Sequence, residues 1–134
     1  MVDDPKAVVR AVIDALNRGD LDAFTGLLAP DAVDRTPLPG QGPGVEEWRR
    51  KWEMLYAAFP DVSLAIEEMA AEAGTVATRY TMRATHEGEF MGMPPTGRKL
   101  EILLLDMIRV RDGKVAEHWG LFDQTALTAQ LGVR

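Results

Sequence analysis

Four side chains near the end of the chain combine proton-transfer chemistry with strand spacing: Asp106, Glu117, Trp119 and Asp123. Glu117, Trp119 and Asp123 recur at intervals of two and four, so on a strand they share one side. The run Lys114 to Asp123 (KVAEHWGLFD) follows Leu100 to Arg111 (LEILLLDMIRVR), and Asp112-Gly113 between them is a strong hairpin signal. Counting outward from that turn pairs Arg111 with Lys114, Ile108 with Glu117, Asp106 with Trp119, Leu104 with Leu121 and Ile102 with Asp123. In this register three carboxylates and an indole share a face rich in Ile and Leu, the composition of a pocket wall rather than a solvated strand. Carboxylates in such surroundings are candidate acids and bases, because burial and neighbouring charges tune their proton affinity.

Each residue has a structural reading beside the chemical one. Asp123 stands directly before QTALTAQL, where an Asp is a good helix cap. Both roles can coexist, since the helix N-terminus favours the carboxylate while apolar surroundings oppose it. Asp106, within LLLDMIR, needs a donor if it is buried; the Trp119 indole, Arg79 and Arg83 are in reach. Glu117 fits a supporting role. His86, at a strand end before a Gly/Pro loop, could act as a general base near neutral pH. His118 falls on the opposite side from Asp123, with Leu105, Met107 and Phe122, and is expected in a core or subunit contact. Arg35 could orient a substrate oxygen or lie exposed, and Met91 suits an adaptable apolar lining.

Several function classes are disfavoured by composition. The chain has no cysteine, which excludes disulfides, thiolate metal sites and a Cys nucleophile, and two histidines leave little for a metal centre. No metal and no organic cofactor are therefore expected. A net charge of −6 argues against nucleic acid. The one basic run, Arg49-Arg50-Lys51, reads as a solvated helix face. No apolar run reaches membrane-span length and the MVDDPKAVV start lacks the pattern of a secretory leader, so a cytoplasmic protein is expected. There is no Gly-x-Ser-x-Gly elbow, P-loop or convincing dinucleotide fingerprint.

The elements that must position these residues are legible from periodicity. Pro5 to Arg18 has the apolar spacing of a helix, stopped by Gly19; Asp20 caps a second, LDAFTGLLA. The Pro/Gly-rich stretch DAVDRTPLPGQGPG predicts a loop after a short extended piece at 32–35. A third helix spans Val45 to Ala58, with Val45, Trp48, Trp52, Leu55 and Phe59 along one stripe. Strands follow at Val62 to Ala71, Thr75 to His86 and in the hairpin, then a short helix Gln124 to Leu131 ending at Gly132. With 134 residues, 46% of them hydrophobic, the expectation is one α+β domain over 1–134.

Taken together, FPD at Phe59 to Asp61, THEGEFMGMPPTGRK at Thr85 to Lys99, RVRDGKVAEHW at Arg109 to Trp119, Asp123, and QLG at Gln130 to Gly132 resemble the SnoaL-like polyketide cyclases, or ester cyclases. The resemblance implies the cone-shaped α+β fold of nuclear transport factor 2, ketosteroid isomerase and limonene epoxide hydrolase, a curved sheet and helices enclosing an apolar pocket. It further implies a cofactor-independent intramolecular aldol reaction, with Asp123 matching the family's acid/base aspartate. Many members carry His where this chain has Arg35.

The sequence thus points to acid/base chemistry on an apolar carbonyl compound. Asp123 and His86 are the catalytic candidates, and Trp119, Arg35, Asp106, Glu117, Phe59 and Met91 are the substrate contacts. Epoxide hydrolysis or ketosteroid-type isomerisation in the same cavity is the first alternative. For hydrolysis, Asp106 and Asp123 lie about 13 Å apart in this register, too far to share a water. A non-catalytic binding domain is the second. A sheet face carrying Leu103, Leu105, Met107, His118 and Phe122 is too apolar for water, so a homodimer through it is expected.

Overall fold

A computed structural model describes residues 4–132; the first three residues of the N-terminal segment discussed above lie outside that range. The order is α1 (Pro5–Asn17), α2 (Leu21–Gly26), β1 (Leu28–Asp34), α3 (Val45–Ala58), β2 (Ser63–Glu72), β3 (Thr75–Thr85), β4 (Lys99–Arg111), β5 (Lys114–Phe122) and α4 (Gln124–Leu131). The fold is α+β, a five-stranded curved sheet with four helices.

Local chemistry accounts for the helix ends. Asp4 accepts from the Lys6 N–H and Pro5 opens α1, whose apolar stripe Val8, Val9, Val12, Ile13 and Leu16 is buried. Gly19, at φ +71°, lets the chain leave the helix. Asp20 caps α2, but α2 ends at Gly26, shorter than the predicted LDAFTGLLA. Leu28 instead opens β1, where it pairs with Val115. Burial of Leu28 and Ala29 in the sheet outweighs the helical spacing of α2.

The strands run β1-β5-β4-β3-β2, with β1 parallel to β5 and the others antiparallel. The sheet is therefore mixed, because β1 returns beside the last strand rather than beside its neighbour in sequence. Its inner face, carrying Val76, Tyr80, Ile102 and Ile108, is covered by α1, which packs across β2 to β5. Two buried clusters form there. One gathers α1, Phe24, Trp48, Val76, Tyr80 and Ile108; the other gathers Phe59, Phe90, Leu100, Ile102 and α4. Burying an aromatic such as Phe24 contributes about 1.5–3 kcal/mol. Among the described residues no helix is long and apolar enough to cross a membrane.

The hairpin register departs from the count made outward from its turn. Arg111 pairs with Lys114 and Val110 with Val115, but Arg109 then pairs with Glu117, Ile108 with His118, Met107 with Trp119, Asp106 with Gly120 and Leu105 with Leu121. Ala116 is the extra residue of a β-bulge. A one-residue slip exchanges the two faces of everything beyond it. Glu117, Trp119 and Leu121 therefore join Arg109, Met107 and Leu105 outside, whereas His118 turns inward beside Asp106. The shared face predicted for Asp106, Glu117, Trp119 and Asp123 does not form.

Candidate active site

Inside the sheet the bulge assembles a polar chain running through five elements. Asp34, the last residue of β1, is the cross-strand neighbour of His118 on β5. Its Oδ1 lies 3.0 Å from His118 Nδ1 and accepts from the Thr36 backbone N–H at 3.1 Å, while Oδ2 is bonded to Lys51 Nζ from α3. On the other side of the imidazole, His118 Nε2 lies 3.4 Å from Asp106 Oδ2. Tyr80 on β3 donates its hydroxyl toward both Asp106 oxygens at 3.2 and 3.1 Å. The order is Lys51, Asp34, His118, Asp106, Tyr80.

Close approach at Gly120 makes this possible. A Cβ on Gly120 would sit 2.8 Å from His118 Cε1 and 2.9 Å from Nε2. The ring therefore folds over the bare glycine to reach Asp106, which pairs with Gly120 on β4. From the helix side Trp48 packs against the ring, centroids 5.3 Å apart. The Thr36 hydroxyl accepts from Gly120 N–H at 2.8 Å and fixes the strand there.

Electrostatics set the protonation of the chain. For Asp34 burial raises the proton affinity, but hydrogen bonding from His118 and the Lys51 charge outweigh it and hold the carboxyl well below the usual range. Asp34 is thus ionised, so His118 Nδ1 donates to it. Burial pushes the His118 imidazole down, yet the bonds to Asp106 and Asp34 and their charges bring it above the ordinary histidine value. Burial, reinforced by the Asp106 charge, pushes the Tyr80 phenol far up, so Tyr80 stays a neutral donor. Asp34 is 1% exposed, whereas Asp106 and His118 keep 11% and 16% of their side-chain surface. Lys51 likewise keeps 11%, and Tyr80 is 2% exposed.

The residues singled out from the sequence fall elsewhere, with Asp106 the exception. Asp106 is held by Tyr80 and His118, not by Trp119, Arg79 or Arg83, because the bulge moves the indole outside. Glu117 accepts from Arg35 at 2.8 and 3.0 Å and from Arg109 at 2.7 Å on the outer face, where Arg109 lies over the Trp119 ring. Arg35 is thereby committed to an ion pair. Phe59 and His86 are buried together in the second cluster, ring centroids 5.7 Å apart. His86 Nδ1 accepts from the Thr96 N–H at 3.3 Å, closing the neck of the 87–97 loop. Met91 is exposed on that loop. Asp123 is exposed and accepts from the Ala126 N–H at 3.0 Å as the cap of α4.

No sequence motif marks Asp34, Lys51 or Tyr80, and His118, expected in a core or subunit contact, lies instead between Asp34 and Asp106. One signal was present: Val115-Ala116, two consecutive apolar residues, breaks the in/out alternation of β5 where the bulge sits. Lys51 also lies at the spacing of Trp48, Trp52 and Leu55 on α3, so it belongs to the inward stripe and not to the solvated face assigned to its run.

This scaffold has counterparts among known proteins. Residues 6–131 match the SnoaL-like polyketide cyclase family, and the chain belongs to that family. It is 29% identical over 130 residues to the aklanonic acid methyl ester cyclase DnrD of Streptomyces peucetius, covering 93% of this chain and 88% of that one. Among solved structures it resembles wild-type IdmH of Streptomyces antibioticus, a candidate polyketide cyclase, at 39% identity, TM-score 0.87, covering 97% of this chain and 99% of that one. It also resembles AclR of Streptomyces galilaeus, a candidate hydroxylase, at 34% identity, TM-score 0.86 and 98% coverage of both chains.

Proposed function

We propose that the protein catalyses intramolecular aldol ring closure of an apolar, polyketide-derived carbonyl compound, with Asp106 and His118 as base and acid. The observation that carries this reading is the imidazole held between two carboxylates with Asp106 and His118 still partly exposed. Asp106 takes the proton from the carbon beside a carbonyl, and the enolate carbon attacks a second carbonyl carbon of the same molecule. His118 donates Nε2–H to the developing oxyanion; its 3.4 Å approach to Asp106 is longer than an ordinary hydrogen bond, so a substrate oxygen can replace Asp106 as its acceptor. Neither a metal nor an organic cofactor is needed. Trp52 and Met82 touch both core clusters yet stay half-buried beside half-buried Leu104, which suits an apolar mouth between them.

Asp123 is the competing acid/base. The family resemblance supports it, whereas its exposure and its cap bond weigh toward a structural role. AclR supports a second reaction, hydroxylation. Mass analysis after aerobic incubation with aklanonic acid methyl ester and an added two-electron reductant separates the two: ring closure gives an isomer of unchanged mass, whereas hydroxylation takes one atom of dioxygen into the product and releases the other as water. An isomeric product, lost in folded Asp106→Asn, supports the aldol reading. An oxygenated product, or undiminished ring closure in that variant, would overturn it.

The outer face supports assembly as a homodimer. Leu103, Leu105, Met107 and Leu121 are 44%, 51%, 48% and 74% exposed and adjoin across β4 and β5. A groove of about 620 Å³ with Ala77, Leu105, Met107, Trp119 and Leu121 in its lining runs over this face and also meets Asp106 and Gly120. Trp119 and Leu121 belong to this face in place of the His118 and Phe122 expected from the uncorrected register. A second copy on this face would remove the apolar surface from water. Sedimentation at micromolar concentration should show a dimer that Leu105→Glu dissociates; a monomeric parent would exclude it.

A further inference from the structure

Lys51 directly follows two arginines of α3 that pair at the surface, Arg49 with Asp22 and Glu53, and Arg50 with Glu47. Lys51 alone is turned inward, 9% exposed, onto Asp34 Oδ2. An amine in that position is costly unless its charge is used, and a space-filling residue there would be Leu or Met. Asp34 itself is too buried to touch a substrate. Its Oδ1 is committed to His118 and to the Thr36 N–H, leaving Oδ2 to the lysine.

We propose that Lys51 is a positioning residue: by occupying Oδ2 of Asp34 it fixes that carboxylate against His118 and limits how firmly the imidazole keeps its proton. The charged and titratable groups set around the ring are Asp34 from β1, Asp106 from β4, Tyr80 from β3 acting at Asp106, and Lys51 from α3 acting at Asp34. With two carboxylates and no lysine, the imidazolium would face two full negative charges and would be a poor proton donor to a substrate oxygen. Lys51 neutralises the rear carboxylate, so only Asp106, the one a substrate can reach, remains as a full counter-charge. This role rests on the acid/base reading of His118.

The test is a nitrogen-15 resolved NMR titration of His118 in the parent, Lys51→Gln and Lys51→Arg. Gln keeps a donor to Asp34 and removes the charge. The expected result is a midpoint displaced upward by roughly one pH unit in Lys51→Gln, with Lys51→Arg restoring the parent value. An unmoved midpoint in folded Lys51→Gln, or the same rise in Lys51→Arg, would overturn the role. If the parent midpoint lies above the accessible range, the same comparison is made in Asp106→Asn, where loss of one counter-charge lowers it. If Lys51→Gln alone does not fold, Asp34→Asn is compared with the Asp34→Asn/Lys51→Gln double variant: with the carboxylate that Lys51 acts through already gone, the two midpoints should differ by much less than about one unit, and a full rise between them would overturn the role. The titration reads His118 without turnover, so it can fail while ring closure stands and can succeed when ring closure fails.

Discussion

Asp34 and Asp123 occupy similar places, one closing β1 and the other following β5, and both have side-chain oxygens that accept backbone N–H groups. Their surroundings differ. Asp34 is 1% exposed and compensated by a lysine and an imidazole, whereas Asp123 is exposed and makes a single cap bond. A buried carboxylate must recruit charged partners; an exposed one is satisfied by water and a helix end. Position at a strand end is therefore a weaker sign of chemistry than the set of donors burial has required.

The sharpest way to break this contrast is truncation. Asp34→Ala strands Lys51 without its counter-charge and should cost about 3–5 kcal/mol, read by urea unfolding; a loss below 1 kcal/mol would mean the ion pair is not compensating buried charge. Asp123→Ala, by contrast, should cost about 1 kcal/mol and Asp123→Asn only a few tenths. Between these extremes lies Gly120→Ala, whose added methyl meets the His118 ring and should cost about 1–3 kcal/mol. A wild-type melt for that variant would remove the close approach from the description of the site.

Stability against pH sharpens the same comparison. The Asp34 carboxyl is depressed, so its contribution is present above its unfolded value and lost as pH falls through the folded one. The His118 imidazole is raised, so its contribution is complete below its unfolded value and lost as pH rises through the folded one. Unfolding midpoints should therefore peak between about pH 4 and 6.5 and decline on both sides. His118→Gln should abolish the alkaline decline and, because Lys51 still depresses Asp34, only soften the acid one. If it flattens the acid side instead, the assignment of the two groups is reversed.

How far the sequence reached follows from which interactions are local. Capping residues, Gly19, the hairpin turn and the stripe of α3 are written in short spans, and the helices at 45–58 and 124–131 appear where their periodicity places them. Two features are not local. β1 pairs with β5 across more than eighty residues, and the bulge at Ala116 changes which residues face inward without altering the turn. The site depends on both. Asp106 could be picked out because a carboxylate inside LLLDMIR needs a partner, but that the partner would be His118 follows only from the slipped register. Lys51 was hidden by its neighbours, since a run of three basic residues reads as one surface even when the helix turns the third away from it.

The most direct measurement of the central claim is proton exchange at the carbon beside the substrate carbonyl, followed as deuterium uptake from heavy water by aklanonic acid methyl ester. The step requires a base but not ring closure, so it isolates the proposed base. Asp106→Asn should lose about a hundred- to ten-thousand-fold in exchange rate, while Asp123→Asn, with its cap intact, keeps the parent rate. Exchange that survives Asp106→Asn and collapses in Asp123→Asn would contradict the account and return the chemistry to the end of β5.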